Sequence, residues 1–139
     1  MVLLIDTNVV FDYVLVRKPH YDDAIKLIDF CAKFNIKTYI SFHSVSIIWY
    51  VLRKNFPPQD RRPILEKVTD LFMVTAAPHN SVVDAIRNKN FADFEDCLQE
   101  KCALEVGADY IVTRNVKDFT ASEIPAITPA EMIEIICNS

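Results

Sequence analysis

The first eight residues constrain this chain most. Val2, Leu3, Leu4 and Ile5 form a short, wholly apolar run that suits a β-strand buried on both faces. The run stops at Asp6, Thr7 and Asn8, three small polar side chains, before apolar character resumes at Val9, Val10 and Phe11. Open parallel α/β sheets place ligands in the crevice beyond the carboxyl ends of their strands, and a buried strand that ends in a carboxylate fits that plan. Asp6 or Thr7 can equally cap the following helix by accepting a backbone N–H. On this stretch alone both readings stand.

The rest of the chain repeats the alternation of strand and helix. Residues 9–16 read as a short helix closed by Arg17, Lys18 and Pro19. Residues 21–34 carry Ala24, Leu27, Ile28, Cys31 and Phe34 at helical spacing, with acidic residues in the first turn. Residues 37–40 form a second strand candidate, and Ser41 to Ser44 supply capping groups for a helix over 45–54. Pro57 and Pro58 break the chain before a helix over about 62–70 and a third strand candidate at 71–74. A helix over 78–88 starts at a proline. In the next, over 92–106, Phe94, Leu98, Cys102 and Val106 recur at four-residue steps, and Gly107 suits its C-terminal cap. Residues 109–112 read as a fourth buried strand, 124–127 as an edge strand and 129–137 as a closing helix. This order predicts a three-layer α/β/α sandwich around a mostly parallel sheet of four to five short strands.

Size and composition narrow the function classes. At 139 residues, 51% of them hydrophobic and 24% charged, the chain suits one domain over 1–139 with a packed core. Gly107 is its single glycine, which excludes Gly-rich phosphate loops. Cys31, Cys97, Cys102 and Cys137 sit singly in apolar or helical stretches and suit buried hydrophobes, not a disulfide framework or a zinc site. His20, His43 and His79 each lie near an expected helix start and suit surface or capping positions. Met1 leads into the first strand without a basic region or cleavage site, and no apolar run reaches the ~20 residues of a membrane span. The expected location is cytoplasmic. With a net charge of −4, nucleic acid would have to be held by local basic patches.

Two strand ends look alike: Ile5-Asp6-Thr7-Asn8 and Val112-Thr113-Arg114-Asn115. In a parallel sheet both open at the same edge. Between them in sequence lies Asp93-Phe94-Glu95-Asp96, where Asp93 and Asp96 share a helix face. The apolar stripe through Phe94 and Leu98 turns Glu95 toward another side. Taken singly, Asp93 suits an N-cap, with Asp96 completing a capping-box-like pair, and Asp118 suits a turn. Taken together, carboxylates gathered at a sheet edge repel one another, and a hard divalent cation relieves that repulsion.

Asp6-Thr7-Asn8 after a strand, Asp96 in a helix that runs to Gly107, and Val112-Thr113-Arg114-Asn115-Val116-Lys117-Asp118-Phe119 together resemble a PIN domain. The likeness covers nearly the whole chain and is greatest to the stand-alone prokaryotic proteins that include toxin ribonucleases of toxin–antitoxin pairs. It implies a metal-dependent endoribonuclease, often dimeric, with three or four acidic residues around Mg²⁺ or Mn²⁺. Carried over, Asp6 matches the first acidic position and Asp96 the third. Asn115 stands at the fourth, with Asp118 as the nearest carboxylate. The second position falls at Ile47, or at Ser46 with a slip of one, and no acid occurs from Val45 to Gln59. Asp93 is a candidate to compensate.

The site expected on this resemblance holds metal through Asp6 and Asp96, assisted by Asp118 or Asp93, with Asn8, Thr113 and Asn115 in support. Arg17, Lys18, Arg53, Lys54, Arg61, Arg62 and Lys89 read as solvated charge, whereas Arg114 and Lys117 lie in the site loop and suit substrate phosphate. The expected partners are RNA, a small antitoxin and a second copy of the chain, since the helices over 21–34 and 45–54 are rich in apolar residues. The alternative is a module of the same fold that binds RNA or protein with weak catalysis or none. A third reading, another metal-dependent phosphohydrolase, uses the same residues.

Overall fold

Alternation along the first strand decides how the layers stack. In β1 (Val2–Ile5), Leu3 and Ile5 enter one hydrophobic core while Leu4 enters another on the opposite face of the sheet. All three side chains are almost wholly buried. The computed structural model describes residues 1–139. Around β1 stand β2 (Lys37–Ser41), β3 (Met73–Thr75), β4 (Tyr110–Val112) and β5 (Ala126–Ile127), in the order β3-β2-β1-β4-β5. Every pairing is parallel, and Leu4 lies between Tyr39 and Ile111 in register.

The helices are α1 (Thr7–Val14), α2 (His20–Lys33), α3 (Phe42–Asn55), α4 (Pro58–Leu71), α5 (His79–Arg87), α6 (Phe94–Glu105) and α7 (Pro129–Cys137). The core behind Leu3 and Ile5 takes Val9 and Val10 of α1, Leu27 of α2, Ile48 and Leu52 of α3, and Met132 of α7. Behind Leu4 the core takes Ala85 of α5 and Cys97, Cys102 and Ala103 of α6. The architecture is the expected α/β/α sandwich, with five strands and no antiparallel pair.

Element boundaries move where a cap decides them. Ser41 accepts the backbone N–H of Ser44, so α3 begins at Phe42, earlier than the expected residue 45. Pro58 does not break α4 but opens it, because the first helical position needs no N–H donor. All four cysteines are free, and only Cys137 is exposed. His20 and His79 are exposed first residues of α2 and α5, whose caps are Pro19 and Pro78, and His43 is the half-buried second residue of α3.

Candidate functional site

Three helices start at the carboxyl edge of the sheet, each behind a polar cap. Asp6 Oδ1 accepts from the Thr7 N–H at 2.8 Å, Ser41 Oγ from the Ser44 N–H at 3.2 Å, and Asp93 Oδ1 from the Asp96 N–H at 3.1 Å. Between the first turns of α1, α3 and α6 lies a cleft of about 240 Å³ lined by Asp6, Thr7, Asn8, Phe11, Ile47, Glu95, Asp96 and Asn115.

Asp6 is the fixed point of the cleft. The Thr113 hydroxyl donates to its Oδ2 at 2.8 Å, and Gln99 Nε2 donates to its Oδ1 at 3.2 Å. Burial pushes its carboxyl above the ordinary 3.8, while the Thr113 and Thr7 hydrogen bonds pull it down and nearby Asp118 pushes it up. Asp96 is pushed up to about 7, first by burial and then by the charges of Asp93, Asp6, Asp118 and Glu95. Glu95 is raised as well, by burial and by Asp93 and Asp6. Four carboxylates thus act on one, which is the electrostatic signature of a place that stabilises positive charge.

Beneath these groups lies a neutral polar floor. Gln99, wholly buried, also donates to Thr7 Oγ1 and Ser44 Oγ at 3.1 Å each, and those two hydroxyls lie 2.6 Å apart. Because an ionised carboxylate only accepts, the amide must present its nitrogen to Asp6. Gln99 Oε1 is left without a protein partner. Gln99 follows Asp96 by three residues on α6, so the two share a helix face.

The predicted site residues divide accordingly. Asp6, Asp96, Asn8 and Asn115 meet at the cleft, and Thr113 holds Asp6 from behind. Asp93 and Asp118 are exposed and act on Asp96 through charge, with one Asp93 oxygen occupied as the α6 cap. Glu95 corrects the sequence reading, since it faces the cleft beside Asp96. The stripe misled because α6 buries Cys97, Gln99, Glu100, Cys102 and Ala103 and leaves Phe94 47% exposed. Arg114 has a partner that the sequence did not show: its Nε and Nη2 donate to the buried Asp12 carboxylate at 2.6 and 3.2 Å, so it braces α1. Lys117 remains exposed. Ile47 is half-buried and lines the cleft, so it is not a dry core residue. The cap pattern Ser41-x-x-Ser44 was visible in the sequence, but nothing there marked Gln99.

A family model described as PIN domain matches residues 2–117, which carry every group of this cleft. The chain belongs to the PIN domain family. No curated protein sequence matches it. Solved structures share the PIN fold at low identity. VapBC-1 from nontypeable Haemophilus influenzae has 17% identity and a TM-score of 0.69, covering 94% of this chain and 99% of that one. VapBC2 from Rickettsia felis, solved with a DNA fragment from its promoter, has 14% identity and a TM-score of 0.68, covering 92% and 98%. A toxin–antitoxin complex from Klebsiella pneumoniae has 20% identity and a TM-score of 0.67, covering 91% and 97%.

The donor set of this PIN domain suits a hard cation. Asp6, Glu95 and Asp96 offer carboxylate oxygens, and Asn8 and Asn115 carry amide oxygens at the same cleft. No three Asp, Glu, His or Cys side chains stand close enough to hold an ion unaided. A cation that keeps several waters, as Mg²⁺ does, matches such a sparse set.

Proposed function

We propose that this PIN domain is a metal-dependent endoribonuclease that hydrolyses RNA phosphodiester bonds, as the toxin of a toxin–antitoxin pair. The observation that carries the reading is the gathering of Asp6, Glu95 and Asp96 at one cleft, where burial first and then the neighbouring carboxylates lift Asp96 to about 7. The fold supports it in general terms, since PIN domains are nuclease hydrolases. Asp6 and Asp96 would hold Mg²⁺ or Mn²⁺, and Glu95, Asp93 and Asp118 deepen the negative potential around them. When bound, the ion supplies Lewis acidity toward phosphate oxygen and toward attacking water. Thr113, Thr7 and Gln99 keep Asp6 oriented, Asn8 and Asn115 complete the wall, and Lys117 meets substrate phosphate.

Toxin–antitoxin complexes among the structural neighbours support a small antitoxin as partner. Exposed Phe42 and Phe94, which line one shallow apolar groove with Val82 and Leu98, support a homodimer. No helix is long and apolar enough to cross a membrane, in keeping with a cytoplasmic protein.

The test is cleavage of single-stranded RNA by purified protein with Mn²⁺ or Mg²⁺, using Asp6→Asn as the control. Metal-dependent fragments that vanish in Asp6→Asn support the reading, and expression of the wild type alone should slow growth. If fragments survive Asp6→Asn unchanged, the assignment fails. Ile47 and Asn115 at family acidic positions favour one alternative: a weakened module that retains RNA or protein binding.

A further inference from the structure

The cleft has two chemically different walls. Glu95 and Asp96 on α6 stand on one side, while Phe11 on α1 and Ile47 on α3 supply the only large apolar side chains among its lining residues. Phe11 follows Asn8 by three residues, and Ile47 follows Ser44 by three, so each projects from the helix face that builds the site. Both are half-buried, leaving apolar surface against a strongly polar cleft. Ion binding gives no reason for such a wall. A ligand with an ionic part and a flat apolar part does.

Positive charge beside the wall narrows the ligand further. The exposed Arg17 guanidinium lies 5.3 Å from the centroid of the Phe11 ring. Val16, with φ at 52°, turns the chain just before it, and a β-branched residue enters that left-handed region reluctantly. Arg114, the other arginine near the site, is bound to Asp12. The cleft therefore presents carboxylates from α6 and an apolar wall from α1 and α3, and Arg17, outside the cleft lining, covers one side of the Phe11 ring.

We propose that Phe11 and Ile47 form a subsite for one unpaired nucleobase of a single-stranded RNA, with Arg17 meeting a neighbouring phosphate. The proposal rests on the ribonuclease reading for its choice of polymer. A flexible single strand can turn a base face onto an aromatic or aliphatic surface, and such contacts tolerate any base because each has a π-face. A paired duplex keeps its base faces stacked and cannot. The subsite thus restricts the cleft to unpaired RNA without selecting a sequence.

The experiment measures binding in Ca²⁺, separately from cleavage, using a uridine nonamer, an abasic nonamer of equal charge and a nine-base-pair RNA duplex. Phe11→Leu keeps apolar packing but removes the ring, and Ile47→Ser removes the second contact; melting curves check that both fold. Phe11→Leu should weaken the uridine nonamer about tenfold, as loss of one base–aromatic stack does, and Ile47→Ser should weaken it by less. Binding of the abasic strand and the duplex should not change, and Phe11→Trp should restore or tighten nonamer binding. Equal losses on all three probes, or no loss on the nonamer, would overturn the subsite. If the wild type cleaves RNA in Mn²⁺ but the variants bind every probe as it does, the subsite falls and the ribonuclease reading stands. Base-dependent binding without cleavage in Mn²⁺ or Mg²⁺ keeps the subsite and removes the ribonuclease reading. If the wild type binds no single strand, both fall.

Discussion

Asp96 is raised furthest among the carboxyls of the site, and the effect of pH on stability follows from the difference between its folded and unfolded states. Its folded carboxyl titrates near 7 against an ordinary 3.8, so between those values the native state holds a proton that the unfolded chain has released. Stability must therefore fall as pH rises through that window. Without divalent ion, the melting temperature should be higher at pH 5 than at pH 8, and Mn²⁺ should raise it at pH 8. His43, lowered by burial, works the other way below its ordinary 6.5, so the comparison is made against Asp96→Asn, which should flatten the slope. A slope unchanged in Asp96→Asn would remove this carboxyl as its source. Ile47 offers a second test. Ile47→Glu places a new carboxylate toward Asp6 and Asp96, and should cost about 1–2 kcal/mol of metal-free stability through lost apolar contact and like-charge repulsion. Saturating Mn²⁺ should recover that loss and bind more tightly than to the wild type, as read by thermal shift and by the spectrum of free Mn²⁺. A larger loss that Mn²⁺ leaves untouched means a buried, unpaired charge, and would take Ile47 out of the cleft.

Among elements, the loop after β4 does the work that the sequence seemed to assign to its individual charges. Arg114 grips Asp12 on α1, its own N–H lies 3.5 Å from Asn8 Oδ1, and the Asn115 N–H donates to Thr113 Oγ1 at 3.0 Å. Thr113 in turn donates to Asp6, so one continuous set of hydrogen bonds ties α1 to the carboxyl edge of the sheet. The Asp12 side chain is 1% exposed and that of Arg114 27%. Breaking a buried pair strands its partner, at roughly 3–5 kcal/mol for a fully buried one. Because Arg114 keeps some water, Asp12→Ala should fall toward the lower end of that range in chemical denaturation. A loss below about 0.5 kcal/mol, the scale of ordinary surface substitutions, would show that the pair does not brace the loop.

At the scale of the whole molecule, a net charge of −4 and exposed apolar residues act together. The overall field repels RNA, so capture depends on local charges such as Lys117 and Arg17, and binding should weaken with added salt. Phe42 is 68% exposed, Ile86 67% and Tyr50 58%, and covering such side chains favours assembly. Light scattering should give a mass near twice the 16.0 kDa of one chain at high concentration. A single-chain mass at every concentration tested would count against the homodimer.

By itself the sequence determined the class of fold and the sheet edge at which its polar strand ends gather. A four-residue apolar strand ending in Asp6, and a second ending in Thr113, require a parallel sheet buried on both faces with its polar edge on one side. Periodicity gave the helices, and Ser41 and Asp93 announced their caps by residue type. Tertiary structure decided which polar groups meet. Gln99 and Glu95 read as ordinary helix residues until α6 is laid against β1, because contacts between distant residues leave no local period. Arg114 looked free until α1 brought Asp12 to it across 102 positions of sequence. Ile47 lay open between core and cleft for the same reason: a helix shows its faces in the sequence, but only packing says what each face meets.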